Sequence, residues 1–371
     1  MKLVKPASDP CHRNRIIQRI NKGELAPSTW YALSHLWNIS KTNQHMWDDI
    51  SNYVDDENGQ PMEPVPMRVE KRSTLLRLLE DHPDSYWWID VLCARSNDFP
   101  FDILGNVYAC CTQCIAMIDC DPGVIPQMNS MWDMDPDFSS GSCSDRPLGD
   151  FLDQYEQLNH LILLLTQCIW WTRVWMWQET VLPQDVLLIA ETANQVSSDH
   201  MLHVDDLHHF EAKLGRMLLF FMENGIRPLH APAPAFKELR ASRKFNMDMD
   251  WMDLEPLVTL LHVFGQSCRE CKYAAHYVYG VLGVFQFNIP STMTDPNQVW
   301  QCFLHKFEHF ISGLVRASFS TTKETGAIPF ITISDRARQF DLSIAQNMAD
   351  VYRDLLVVFD GVYLHDSNPK E

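Results

Sequence analysis

The sequence predicts an α/β fold, a mainly parallel sheet with flanking helices, followed by a mostly helical C-terminal region. Three observations carry that prediction. Short apolar runs at Tyr31–Trp37, Tyr86–Cys93, Cys114–Asp119 and Asp185–Ala190 have the length of buried strands. Segments with helical periodicity alternate with them, over Val69–Leu79, Asp102–Cys114 and Phe151–Cys168. Turn residues punctuate the series at Asp55–Pro66, His82-Pro83-Asp84 and Asp121-Pro122-Gly123.

Taken in order, residues 1–27 are polar and mixed, broken by Pro6, Pro10 and Pro27, and read as a lead-in arm. The run Tyr31–Trp37 brings Ser34, His35 and Trp37 to the C-terminal end of a strand. Ligands of open α/β sheets bind at that edge, although His35 taken alone reads as a satisfied core histidine. Lys41–Tyr53 has helical periodicity with Trp47 and Ile50 inward, and Val69–Leu79 buries Leu75, Leu76, Leu78 and Leu79. Trp87-Trp88-Ile89 is apolar on both faces, as a central strand requires. Asp90 interrupts it. A buried carboxylate needs a partner, so Asp90 is either an anchor for backbone N–H groups or a site residue, with both readings open.

Residues 123–148 carry Pro, Gly, Ser, Asp and scattered Met, and read as a long surface insertion. The stretch Trp170–Glu179 holds four of the chain's twelve tryptophans. On a helix, Trp171, Val174, Trp175 and Gln178 share one face, with Glu179 one turn beyond Trp175. An aromatic wall favours the neutral carboxyl there, and Arg173 favours the charged one. Pro183 ends the stretch. Beyond residue 192 the chain reads as helices over His200–Met222, Gln298–Val315 and Met348–Val358, with apolar segments at Leu254–Gly265 and Ala274–Val284. Three parts are expected: an arm over 1–27, a domain over 28–192 and a helical region over 193–371. There is no P-loop, GxGxxG, GxSxG or HExxH, and no internal repeat.

Lys and Arg total 30 against 48 Asp and Glu, a net charge of −18. That argues against nucleic acid and against anionic membrane surfaces as partners. Hydrophobic content of 46% with 21% charged residues reads as globular. Met1–Arg15 lacks the apolar core of a secretory signal, and the most apolar run, Leu161–Trp171, is about half a membrane span. The chain is therefore expected to be cytoplasmic, with its eleven cysteines reduced. Cys111-x-x-Cys114 and Cys268-x-x-Cys271 have zinc-knuckle spacing but lie far apart in the chain. His203, His208 and His209 are interleaved with carboxylates as on a solvated face. No metal site is predicted.

Three ordered blocks resemble the fungal heterokaryon-incompatibility (HET) domain. They are Tyr31-Ala32-Leu33-Ser34-His35-Leu36-Trp37, Tyr86-Trp87-Trp88-Ile89-Asp90-Val91-Leu92-Cys93, and Trp170 to Glu179. The family's pattern reads YxALSYxWG, then YxWIDxLCIxQ, then WxxRxWxxQE. Val278-Tyr279-Gly280-Val281-Leu282-Gly283 is similar to the VYGLLG element that often follows. The resemblance covers residues 28–192 and, more weakly, extends to residue 286. The chain departs from the pattern at Asn38, at Ala94-Arg95-Ser96 and at His276, where an aspartate is common in the family.

The resemblance implies a TIR-like fold and self/non-self recognition with cell death. Many TIR-like domains cleave NAD at the nicotinamide–ribose bond with one glutamate in a WCxxE box, and Trp175-Met176-Trp177-Gln178-Glu179 is similar to that box. By resemblance Glu179 is the catalytic carboxylate, and NAD is a substrate, not a bound cofactor. Ser34, His35, Trp37, Asp90, Arg173, Trp175 and Gln178 are the expected substrate-binding residues. Arg173 would pair with phosphate or brace Asp90, and Trp37 or Trp175 would stack on a ring. The other reading is a non-catalytic signalling module of the same family, its pocket degenerate at residues 94–96. Self-association or a protein partner is expected under both.

Overall fold

Trp87, Trp88 and Ile89 are buried on both faces because their strand lies inside an eight-stranded sheet. In a computed structural model of the chain, the described residues are 3–6, 17–20, 29–37, 45–56, 58–82, 85–94, 101–132, 148–227, 236, 239–243, 254–321 and 328–362. The chain divides into two compact units. The first comprises Met1–Trp171 with Gln178–Phe236, and the second Thr172–Trp177 with Lys237–Glu371.

The sheet belongs to the first unit. Its strands are β1 (Leu3–Pro6), β2 (Ile17–Ile20), β3 (Tyr31–His35), β4 (Val54–Asp55), β5 (Trp87–Ile89), β6 (Gln113–Ile118), β7 (Val186–Ala190) and β8 (Met201–His203). Their order is β4-β2-β1-β5-β3-β6-β7-β8. The four inner strands β5-β3-β6-β7 are mutually parallel, with Leu33 opposite Ile89 on one side and Ile115 on the other. Antiparallel neighbours β1 and β8 flank them. The chain leaves β3 for β5 on one side, then returns past β3 to β6 on the other. That reversal makes the C-terminal ends of β3 and β6 a topological switch point, where doubly wound sheets bind ligands.

Helix α1 (Val69–Asp81) buries Lys71, Thr74, Leu75, Leu78 and Leu79, one face at i, i+3, i+4, i+7 and i+8. One turn, α2 (Asp90–Cys93), follows β5 directly, and α3 (Phe101–Ala109) leads to β6. After β6 come α4 (Val124–Ser130) and α5 (Leu148–Thr166). The short α6 (Met176–Val181) precedes β7, and α7 (Asp206–Glu223) follows β8. Helices α5 and α7 pack through Phe151 on Phe220 at 6.2 Å and Tyr155 on Phe221 at 5.6 Å.

Several elements differ from the sequence-based expectation. The lead-in arm contains β1 and β2, because Leu3 and Val4 are buried beside β5. In Lys41–Tyr53 the described part is a bridge at Trp47 and a 3-10 turn at Ile50–Asn52. The expected insertion over 123–148 begins with α4, and residues 133–147 lie outside the described residues. His200–Met222 starts as β8, since its first residues pair with β7.

The tryptophan stretch is not one helix. A 3-10 turn at Ile169–Thr172 gives way to an extended residue, Arg173, bridged to Glu270, before α6 begins. The helical ladder is interrupted because Val174 N donates to Glu270 O at 3.2 Å and Glu270 N donates to Thr172 O at 2.7 Å.

The second unit is built on helices over Leu254–Phe264 and Pro296–Thr321 with shorter ones between and after them. A stacked aromatic ladder, Trp300–Phe303–Phe307, lines its core. Met348–Val358 is a helix only to Tyr352. Leu356–Val362 is a strand, β10, paired antiparallel with β9 (Ile328–Ile333). The segment Thr172–Trp177 completes this core. Trp177 packs edge-on to Phe264, lies under the Arg269 guanidinium at 4.9 Å, and donates to Met348 Sδ at 3.0 Å.

Gly280 shows why the Val278–Gly283 element has its glycine. A Cβ there would lie 2.4 Å from Val174 Cγ1 and 3.0 Å from His276 O. Gly280→Ala is expected to destabilise the chain by about 1–3 kcal/mol, as overpacking does. Adding Val174→Ala should recover part of that loss in urea unfolding, and no recovery would show that this contact is not the cause.

Candidate functional site

Each inner parallel strand β5, β6 and β7 is followed at once by a carboxylate: Asp90, Asp119 and Glu191. β3 ends instead in Ser34 and His35, which lie opposite Ala116 and Met117 of β6. Adjacent strand residues point to opposite faces. Ser34 and His35 therefore start two separate clusters at the end of one strand.

The Ser34 cluster contains Glu179. Ser34 Oγ donates to Glu179 Oε2 at 2.5 Å, and Trp170 Nε1 donates to Ser34 Oγ at 2.9 Å. The indole occupies one lone pair of the hydroxyl, so the hydroxyl proton is directed at the carboxylate. Ser34 and Glu179 are 1% and 5% exposed. Trp170 is held by Asp119, whose carboxylate accepts Ile169 N and Trp170 N, each at 3.0 Å. This carboxylate satisfies free N–H groups at the start of the 3-10 turn. Glu179 and Asp90 also act on Tyr108 of α3. Burial, then the Glu179 and Asp90 charges, hold the Tyr108 phenol well above its usual range and keep it neutral.

The His35 cluster contains Asp90. Its carboxylate accepts from Trp37 Nε1 at 2.5 Å and Val91 N at 2.7 Å, and faces His35 Nε2 at 3.0 Å. His35 Nδ1 lies 3.1 Å from Leu36 O. These bonds fix the start of α2 and the exit of β3 to each other.

Leu36 O receives a second donor. Lys71 Nζ lies 2.5 Å from it and 3.0 Å from Glu191 Oε2, and Arg68 also pairs with Glu191. The Lys71 and Glu191 side chains are 0% and 2% exposed. A buried ammonium of this kind persists only when paired. Lys71 thus ties the end of β3 to the end of β7.

Of the residues expected at the site, Gln178 lies in the first unit with Ser34, His35, Trp37, Asp90 and Glu179; all are buried except Trp37, which is half-buried. Arg173 and Trp175 pack within the second unit. There Trp175 lies edge-on to His276 at 5.0 Å, and burial and then Arg173 push the His276 imidazole down to about 4. Asn38, Arg95 and Ser96, where the chain departs from the family pattern, lie outside the described residues. Sequence reasoning missed Trp170, Asp119, Tyr108, Lys71 and Glu191. The recurrence of an acid directly after an apolar strand, at Asp90, Asp119 and Glu191, was the signal available for two of them.

Among the described residues, no three or more His, Cys, Asp or Glu are grouped to hold a metal ion. Nor is any helix there long and apolar enough to cross a membrane. No curated protein and no solved structure matches the chain. The family model described as Heterokaryon incompatibility protein (HET) matches residues 30–179, a span that opens just before β3 and closes on Glu179. The ordered blocks, the parallel sheet and this match agree: the chain carries a heterokaryon-incompatibility (HET) domain over residues 30–179.

Proposed function

We propose that this chain is a TIR-like NAD glycohydrolase of the cytoplasm, acting in fungal self/non-self recognition and cell death, with Glu179 as its catalytic carboxylate. The observation that supports this reading most is the Glu179 carboxylate, buried beside the switch point and oriented by the Ser34 hydroxyl. Departure of nicotinamide leaves positive charge on the ribose ring. A fixed carboxylate in a water-poor environment stabilises that charge, as it does in glycoside hydrolysis. Nicotinamide leaves as a neutral molecule, so the reaction needs no general acid. Ser34 and Trp170 set the direction of the carboxylate, and water then adds at the ribose carbon.

The alternative is a signalling module that acts by assembly. Its support is a set of exposed apolar side chains on the first unit, Ile169 and, one turn apart on α7, Leu219 and Met222. One experiment separates the two. The purified chain, across a range of concentrations, is incubated with NAD and followed by chromatography and light scattering. Equimolar nicotinamide and ADP-ribose are expected. Intact NAD at concentrations where the chain has assembled would overturn the hydrolase reading and leave the signalling one.

A further inference from the structure

Of the fifteen histidines in the chain, His305 and His309 are the only two that stand four positions apart. Both lie on the helix Pro296–Thr321, where a four-residue step puts side chains on one face, one turn above the other. That helix is seated by its opposite face. Trp300, Phe303 and Phe307 are buried and stacked, and Trp300 Nε1 donates to Ala337 O at 2.8 Å. His305 and His309 each follow one of those phenylalanines by two residues, a rotation of about 200° at 3.6 residues per turn. Both are accordingly exposed. Their rings meet each other, with centroids 4.8 Å apart and planes at 88°. Among the described residues, neither imidazole has a hydrogen-bond partner.

We propose that His305 and His309 form a binding site for a divalent transition-metal ion of the zinc, nickel and copper class. Imidazole nitrogen suits these ions, whereas magnesium and calcium take oxygen ligands. The separation of the rings fits. An ion about 2.05 Å from a ring nitrogen lies about 3.2 Å from the centroid of that ring. Two such rings are about 4.5 Å apart when they meet the ion at a right angle, and about 5.2 Å apart at the tetrahedral angle. The observed 4.8 Å lies between the two.

To aim one nitrogen each at a common point, the rings turn about χ2, a soft torsion in histidine. The backbone stays in place, because the aromatic ladder holds the helix from behind. Glu308, next to His309, pairs with Arg338 at 2.8 Å, so the two charges beside the site offset each other. Two imidazoles leave the remaining coordination positions to water. Such a site exchanges its ion with solution, unlike the closed four-ligand sites that hold a structural zinc.

The test uses the full chain without a histidine tag. Ni2+ is the probe, because zinc and copper also bind thiolates and the chain has eleven cysteines. Calorimetric titration of the wild type is expected to show one Ni2+ bound per chain, above the weak background of single histidines. His305→Ala and His309→Ala should each weaken that binding about a hundredfold, since no second imidazole closes on an ion held by the first. Both side chains are exposed, so both variants should keep the wild-type urea midpoint without metal. With Ni2+ the midpoint should rise in the wild type alone, because the pair is assembled only on the folded helix. Absence of the site in the wild type, or unchanged affinity in both variants, would overturn the proposal. So would a loss in only one variant, which would assign the ion to a single imidazole with a different partner. None of these readouts depends on whether the chain cleaves NAD.

Discussion

Glu179→Gln is expected to lower nicotinamide release by at least about a hundredfold, a loss of roughly 2.7 kcal/mol of transition-state stabilisation. The amide has the carboxylate's size and shape, and its oxygen can still accept the Ser34 hydroxyl that Glu179 accepts at 2.5 Å. What it lacks is the negative charge that, in the proposed reaction, would face the developing ribose cation. The loss should therefore appear in kcat, with KM changed little, because a group that acts only on the transition state contributes little to ground-state binding. Ser34→Ala gives a milder version of the same defect, since it leaves the charge and removes its orientation. Full activity in a folded Glu179→Gln chain would remove Glu179 from the mechanism.

Lys71→Met is expected to destabilise the chain by about 3 kcal/mol. Methionine has nearly the length of lysine and fills the same space, so the cost is electrostatic. Glu191, 2% exposed at its side chain, would lose a partner at 3.0 Å, and Leu36 O would lose its donor at 2.5 Å. Arg68 still reaches Glu191, which holds the cost near the lower end for a broken buried pair. The sign of the second step is the discriminating one. Adding Glu191→Leu should restore stability, because the uncompensated carboxylate is gone and Arg68, 30% exposed at its side chain, can turn to water. Both are read from denaturant midpoints. A double variant that is weaker than Lys71→Met would show that the pair is not the source of the loss.

The inner strands were legible because burial on both faces leaves a continuous apolar run, as at Trp87-Trp88-Ile89. Asp90 was legible as an anomaly for the same reason, a charge where the pattern forbids one. Its partners were not, because Trp37 and His35 lie some fifty positions away. The tryptophan stretch misled. Its i, i+3, i+4 spacing arises from residues that pack in two different units, with Trp171 and Gln178 in one and Val174 and Trp175 in the other. Periodicity reports burial but not the neighbour that causes it. Lys71 was hidden because a lysine on an amphipathic helix normally lies in water. Only its place on the face of Thr74, Leu75 and Leu78 distinguishes it. The first strands were hidden by their shortness, since two buried residues, Leu3 and Val4, make no pattern.

The excursion of Thr172–Trp177 into the second unit also bears on how such a gene can be cut and recombined. A module bounded by its sequence motifs would end near residue 192 and would carry these six residues away from the core they complete. The part left behind would keep Gly280 with nothing against its open face, and Phe264 and Met348 without the indole between them. Exchange between relatives at that boundary therefore joins the motif-bearing part to a partner core with a mismatched filling. Recombinants that stay folded should be those in which the donor supplies both the Thr172–Trp177 segment and the element around Gly280. A cut at that boundary has to account for six residues that belong to one unit by sequence and to the other by packing.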